Sequence, residues 1–409
     1  SNSTRLKNLV PIRYGRMAMS PFAFLRGSAG VMASDLAKTP VSGIQAQLCG
    51  DAHLSNFGVY ASPERRQVFD VNDFDETLAG PWEWDVKRLA ASVVVAGRQN
   101  GYAAQESRQA VLRCLQSYRE NMQQFALMNH LDVWYFHLDV ESILALARGM
   151  AGRKELQKRV ERASGRANKR TRIETFPKLS EAVDGQYRIK DEPPLIYHYD
   201  PLDTGEWRAM VLDYLASLPE ERRMIIMRYH WVDIAQKVVG VGSVGTRCAI
   251  VLTLGGAEGD DPLFMQIKEA SASVLEPYTG ASPYANHGER VVIGQRLMQA
   301  ASDVLLGWST FNGRDYYARQ LRDMKFSAEV ETMNPVLFTA YVQLCAATLA
   351  RAHARTSDPA QISGYLGNRD VFDQAIASFA EAYADQTERD HAALLAAIKE
   401  GRVQAQTGV

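Results

Sequence analysis

Residues 238–248, VVGVGSVGTRC, lie between two apolar runs and narrow the choice of fold more than any other stretch. Upstream is WVDIAQK and downstream AIVLTL, each with the β-branched content of a strand. Gly240, Gly242 and Gly245 fit G-x-G-x-x-G. Glycine lets backbone N–H groups approach phosphate oxygens with no Cβ in the way. In a dinucleotide-binding fold this motif opens a helix, but here a strand follows it. A third strand, LFMQIKEA, comes after the acidic turn AEGDDP and carries Lys268 near its end. The plain alternative is an ordinary glycine-rich hairpin with a surface lysine.

Two polar segments earlier in the chain change the weight of that alternative. CGDAHLSNFGVY (49–60) gathers Asp51, His53 and Asn56, and FDVNDFDE (69–76) follows after VYASPERRQVFD, which reads as two short strands around a Ser-Pro-Glu turn. In kinases an Asp accepts the proton of the acceptor hydroxyl, an Asn five positions later binds magnesium, and a further Asp holds the metal. Asp51 and Asn56 have that spacing, and Asp70 at an expected strand end is the candidate metal ligand, with Asp73 available to a second ion. His53 either orients the loop or fills a polar pocket. Magnesium prefers hard oxygen ligands and keeps several waters, so one Asp, one Asn and phosphate oxygens suffice. The glycine turn, including Ser243, then becomes a phosphate cover, and Lys268 a contact for the α- and β-phosphates. Glu289 on the following helix is the candidate partner of Lys268, with Glu269 and Glu276 as competitors.

The order is inverted relative to a kinase, because Asp51 and Asp70 precede Gly240 and Lys268. A circular permutation reconciles the two, with the break after a lobe hinge near 320–330. At 409 residues two or three lobes are expected, and 46% apolar residues can fill them. The expected division is a helical catalytic lobe (1–200), a β-rich nucleotide lobe (228–325) and a second helical part (326–409), with KDEPPLIYHYDP as connector. One helix is expected over 16–38, capped at Ser20–Pro21, and helices over 84–128 with a break near Gly101. A net charge of −1 argues against a general nucleic-acid or membrane-surface binder. The basic stretch 153–172 lacks interleaved aromatics and reads as a solvated face. Four scattered cysteines form no zinc spacing, and no apolar run of signal-peptide or membrane-span type is evident, so a cytoplasmic protein is expected. Arg13, Arg16 and Arg26 stand shortly before the loop, where phosphate contact and ion pairing with nearby Asp residues are both open.

SPFAFLRG (20–27), CGDAHLSNFG, FDVNDFDE, PWEWDVKRLA (81–90), GERVVIGQRLMQA (288–300), YYARQLRDMK (316–325) and LARAH (349–353) together resemble an uncharacterised bacterial domain family. More distantly, GDAHLSN, VFD and WDVKRLA with Asp85 are similar to the catalytic loop, metal Asp and helix start of aminoglycoside and choline phosphotransferases. That resemblance implies Asp51 as catalytic base and Asn56 and Asp70 as magnesium ligands. The expectation is therefore an α+β, permuted protein-kinase-like fold that uses ATP and Mg²⁺ to phosphorylate an unknown, small-molecule acceptor. GDAH also resembles an element of two-metal phosphatases, and a nucleotide-binding protein without catalysis would leave the same sequence.

Overall fold

The computed structural model describes residues 2–408 apart from 140, 142, 144–156, 159–160, 163, 166–171, 199–203, 257–259 and 322–325. The basic stretch 153–172 and the turn at 257–259 therefore fall largely outside the described residues. The chain is α+β, as expected.

Three short helices, α1 (Val10–Met17), α2 (Pro21–Gly27) and α3 (Ala29–Leu36), stand where one was expected. Ser20 is the cap, accepting from the Ala23 N–H at 3.1 Å, with Pro21 in the first turn. Strand β1 (Gln45–Leu48) pairs antiparallel with β4 (Leu78–Pro81). Between them runs the hairpin of β2 (Phe57–Ala61) and β3 (Gln67–Val71), flanked by β5 (Leu138–Asp139). Helices α4 (Glu83–Gln99) and α5 (Ala104–Ala126) follow, with Gly101 at φ +77° in the break.

The second sheet contains β6 (Ile196–Tyr197), β7 (His230–Lys237), β8 (Cys248–Gly255), β9 (Asp261–Ala270), β10 (Gly307–Phe311) and β11 (Arg314–Gln320), in spatial order β10-β11-β9-β8-β7-β6. All of its pairings are antiparallel. The sheet reaches back beyond the expected start at 228: β6 lies in the supposed connector, and helix α6 (Thr204–Ser217) packs on β10. Helix α7 (His287–Met298) packs on β10 and β11. Lys268 stands opposite Cys248 on one side and Tyr317 on the other.

After β11 the chain crosses back. Strand β12 (Phe326–Ser327) adds to β2, and α8 (Pro335–Ala354), α9 (Pro359–Leu366) and α10 (Val371–Lys399) pack with α4 and α5. A continuous apolar core joins residues from both chain segments, including Leu48, Phe57, Val94, Val292, Tyr317 and Phe338. One departure concerns α8, which is long and apolar enough to span a membrane by length and composition. Its apolarity is that of a core helix, since two thirds of it is buried and Arg351 and His353 turn inward to polar partners.

Candidate active site

The loop 49–56 is held from below. Asp85, in the first turn of α4, accepts from the N–H groups of Cys49 (2.8 Å) and Gly50 (3.1 Å). His353 on α8 approaches Asp85 at 3.5 Å and contacts the Tyr118 hydroxyl at 2.8 Å through its other ring nitrogen. Gly50 has φ +79°, and a Cβ there would lie 2.3 Å from the carbonyl oxygen of Glu76, so only glycine lets the two segments meet. Asn56 donates its Nδ2 to the Asp51 carbonyl at 2.7 Å, a bond that does not use its Oδ1.

Asp51 pairs with the buried guanidinium of Arg88. Burial pushes its pKa up to about 6, against the pull of Arg88, and the nearby charge of Asp73 adds to the rise. His53 lies 3.7 Å from Asp51, edge-on to Phe22. Burial and then the charges of Arg26 and Arg88 hold its pKa well below the ordinary value, so the ring is neutral.

Asp70, expected as a metal ligand, lies in a buried ion pair. Its side chain and that of Arg351 are each 1% exposed and bond at 2.6 Å. The carboxylate also accepts from the N–H groups of Val71 (2.9 Å) and Ala300 (2.8 Å), with the Tyr60 hydroxyl at 3.5 Å. The structure thus shows Asp70 in a buried ion pair with Arg351. Asp73 differs: it lies past the strand end, is only half-buried and accepts one bond, from the Asp75 N–H at 3.3 Å. Its charge acts on Asp51 on one side and on Lys268 on the other.

The Lys268 assignment to Glu289 also changes. Lys268, 3% exposed, is paired with Asp75, 193 residues away in sequence. Burial works against its charge, but Asp73 and Asp75 together hold its pKa well above normal. Glu289 serves the start of its own helix, its N–H capped by Asn286 at 3.0 Å, and Glu269 pairs with Arg247 and Arg314. The next helix residue, Arg290, turns inward and donates to the carbonyls of Thr77 (2.6 Å), Asp75 (2.8 Å) and Ser271 (2.8 Å).

The glycine turn comes to the same place. Ser243 Oγ donates to Asp75 at 3.2 Å and the Tyr317 hydroxyl donates to its other oxygen at 2.9 Å. Gly240 and Gly245 have φ of +65° and +89°, a region that favours glycine, and a Cβ on Gly242 would come within 3.2 Å of the Arg26 carbonyl oxygen. The first helices of the chain cover this turn: Arg16 donates to the Gly240 carbonyl and the Leu6 N–H to that of Gly245 at 2.8 Å. Arg26 faces Asp51 and Asp73, and its buried Nε has no partner. Arg13 instead donates to the Gly27 carbonyl at 2.6 Å. No sequence signal singled out Asp75 for Lys268, because three Asp residues within six positions look alike until the backbone orients them.

Among the described residues no group of three His, Cys, Asp or Glu side chains could by itself hold a metal. The donors present, Asn56 and Asp73, suit a magnesium ion that takes its other ligands from phosphates and water. A family model described as an uncharacterized protein conserved in bacteria (DUF2252) matches residues 5–397. No curated protein and no solved structure matches the chain.

Proposed function

The chain belongs to this bacterial family of uncharacterised activity, and on that premise we propose that it is a kinase-like phosphotransferase using ATP and magnesium on a permuted chain. The observation that carries the reading is the meeting of Lys268 and Ser243 with Asp75, two residues from Asp73, across 193 and 168 positions of sequence. A hairpin of glycines, a lysine on the third strand and an acidic strand end occupy one place, as phosphoryl transfer requires.

In this reading Asn56 Oδ1 and Asp73 hold the ion, which neutralises charge on the β- and γ-phosphates when bound. The N–H groups of 240–245 contact phosphate oxygens, and Lys268 contacts the α- and β-phosphates. Asp51 takes the proton of an acceptor hydroxyl as its oxygen attacks the γ-phosphorus and the bond to ADP breaks. Arg88 and Asp85 are positioning residues that fix the loop. Burial of Lys268 strengthens its attraction for phosphate, because few waters compete for the charge. The two-metal phosphatase reading is weaker, since Asp51 and His53 find no second group of ligands among the described residues.

Calorimetric titration of Mg·ATP into the wild-type chain, Asp73→Asn and Lys268→Met tests the proposal. We expect each substitution to weaken binding at least about tenfold, about 1.4 kcal/mol, and the Asp73→Asn loss to vanish when magnesium is withheld. Unchanged magnesium-dependent affinity in Asp73→Asn would sink it. Tight binding without transfer to any acceptor would favour a non-catalytic nucleotide sensor.

A further inference from the structure

Arg26 stands in the last turn of α2, where the glycine turn meets the acidic loop. Its backbone lies against the turn: a Cβ on Gly242 would come within 3.2 Å of the Arg26 carbonyl oxygen. Its side-chain charge acts on the loop, on Asp51 and His53, and also on Asp73 and Glu331. The backbone is fixed on both sides of it, because Arg88 donates to the Leu25 carbonyl at 2.9 Å and Arg13 to that of Gly27 at 2.6 Å.

Among the described residues this guanidinium makes no hydrogen bond and no ion pair, and its Nε is sealed from water without an acceptor. The cations around it are spent: Arg88 on Asp51, Lys268 on Asp75, and Arg290 on three carbonyls. Burial outweighs the attraction of Asp51, Glu331 and Asp73 and holds the Arg26 pKa below the ordinary arginine value. A buried charge is kept at a cost unless a partner neutralises it. What Arg26 lacks is an anion that can accept from both arms of its fork, and none of the three carboxylates nearby has taken that place.

A phosphoryl group held under the glycine turn and directed at Asp51 would lie beside this side chain. We propose that Arg26 is a further catalytic residue, whose Nη groups donate to two oxygens of the γ-phosphoryl group of ATP; the assignment rests on the phosphotransferase reading above. In the transfer step the acceptor oxygen bonds to the γ-phosphorus, its proton passes to Asp51, and the bond to the β–γ bridging oxygen breaks with the electron pair leaving on ADP. Arg26 offsets the charge on the non-bridging oxygens while the group passes from donor to acceptor.

Calorimetry with Mg·ATP and Mg·ADP on the wild-type chain and Arg26→Gln tests this. ADP lacks the γ-phosphoryl group and is otherwise the same probe. Arg26→Gln should weaken Mg·ATP about tenfold, the loss of a charged hydrogen-bonding contact, and leave Mg·ADP unchanged. Its ligand-free melting temperature should not fall, because no bond is removed. If Arg26→Gln does not fold, Arg26→Lys decides by the same comparison: it keeps the charge without the fork and should show a smaller loss, again for ATP alone. Equal losses for both nucleotides would make Arg26 a support of the cleft, and no loss for either would place it away from the γ-phosphate. Each of these overturns the assignment while the phosphotransferase reading stands. A wild-type chain that binds neither nucleotide ends both.

Discussion

Asp70 and Asp73 are three positions apart and chemically identical, yet the fold gives them different surroundings. Inside β3, Asp70 is bound to Arg351 with both side chains 1% exposed. Removing one partner of such a pair strands the other charge and costs about 3–5 kcal/mol. Asp70→Asn should therefore lose about that much stability in urea unfolding, and Asp70→Leu with Arg351→Met should regain most of it. A loss below about 1 kcal/mol would mean that the pair is hydrated after all. Asp51 offers a titration test in the metal-free chain. Its carboxyl is raised to about 6 by burial, with Arg88 pulling the other way. Carbon-detected NMR should place its midpoint near pH 6, and Arg88→Gln should move it higher, because the guanidinium favours the charged form. A midpoint at the ordinary aspartate value would show that water reaches the carboxylate freely. If Asp51 is the base, its active form is the carboxylate, so protonation at acid pH removes activity.

Helix α7 shows at the scale of an element what the sequence discloses and what it hides. The strands that carry the glycine turn and Lys268 were legible because alternation and turn residues have a short, rigid period. The β2–β3 hairpin was legible for the same reason, whereas the Asp51–Asn56 loop has no alternation and was marked by the spacing of its polar residues. Which face of α7 meets the sheet was not, since Glu289 and Arg290 differ by about 100° around the axis and either could have turned inward. Burial of Arg290 beneath three carbonyls settles it. The two residues of β6 carry no period at all, so the connector concealed an edge strand. The packing of α7 depends on Gly288, where a Cβ would sit 2.1 Å from the Tyr316 carbonyl oxygen. That neighbour is backbone in β11 and cannot rotate away. Gly288→Ala should push helix from sheet and destabilise the chain by about 1–3 kcal/mol, read as a lower melting temperature. An unchanged melting temperature would mean that the helix start can shift without loss.

For the molecule as a whole, the segment 73–77 is where the two parts of the chain are fastened. Asp75 gathers Lys268 from β9, Tyr317 from β11 and Ser243 from the glycine turn, while Arg290 ties α7 to the backbone of Asp75 and Thr77. The same ammonium that would receive phosphates is thus already occupied by a carboxylate. On the proposed reading a nucleotide would have to displace Asp75 or share Lys268 with it, so the Lys268–Asp75 pairing and affinity for nucleotide oppose one another. Asp75→Asn separates the two effects. Without its carboxylate, Lys268 keeps a buried charge facing only the more distant Asp73, and the ligand-free chain should be less stable. The loss should fall toward the low end of about 3–5 kcal/mol, because Asp75 retains 26% of its side-chain surface in water. Mg·ATP should bind the variant more tightly, since phosphates no longer compete with a resident anion, and every 1.4 kcal/mol so released is about tenfold in affinity. Melting curves and calorimetry on the same preparations measure both. If stability and affinity fall together, Asp75 itself contributes to holding the ion or nucleotide, and the picture of a resident competitor is wrong.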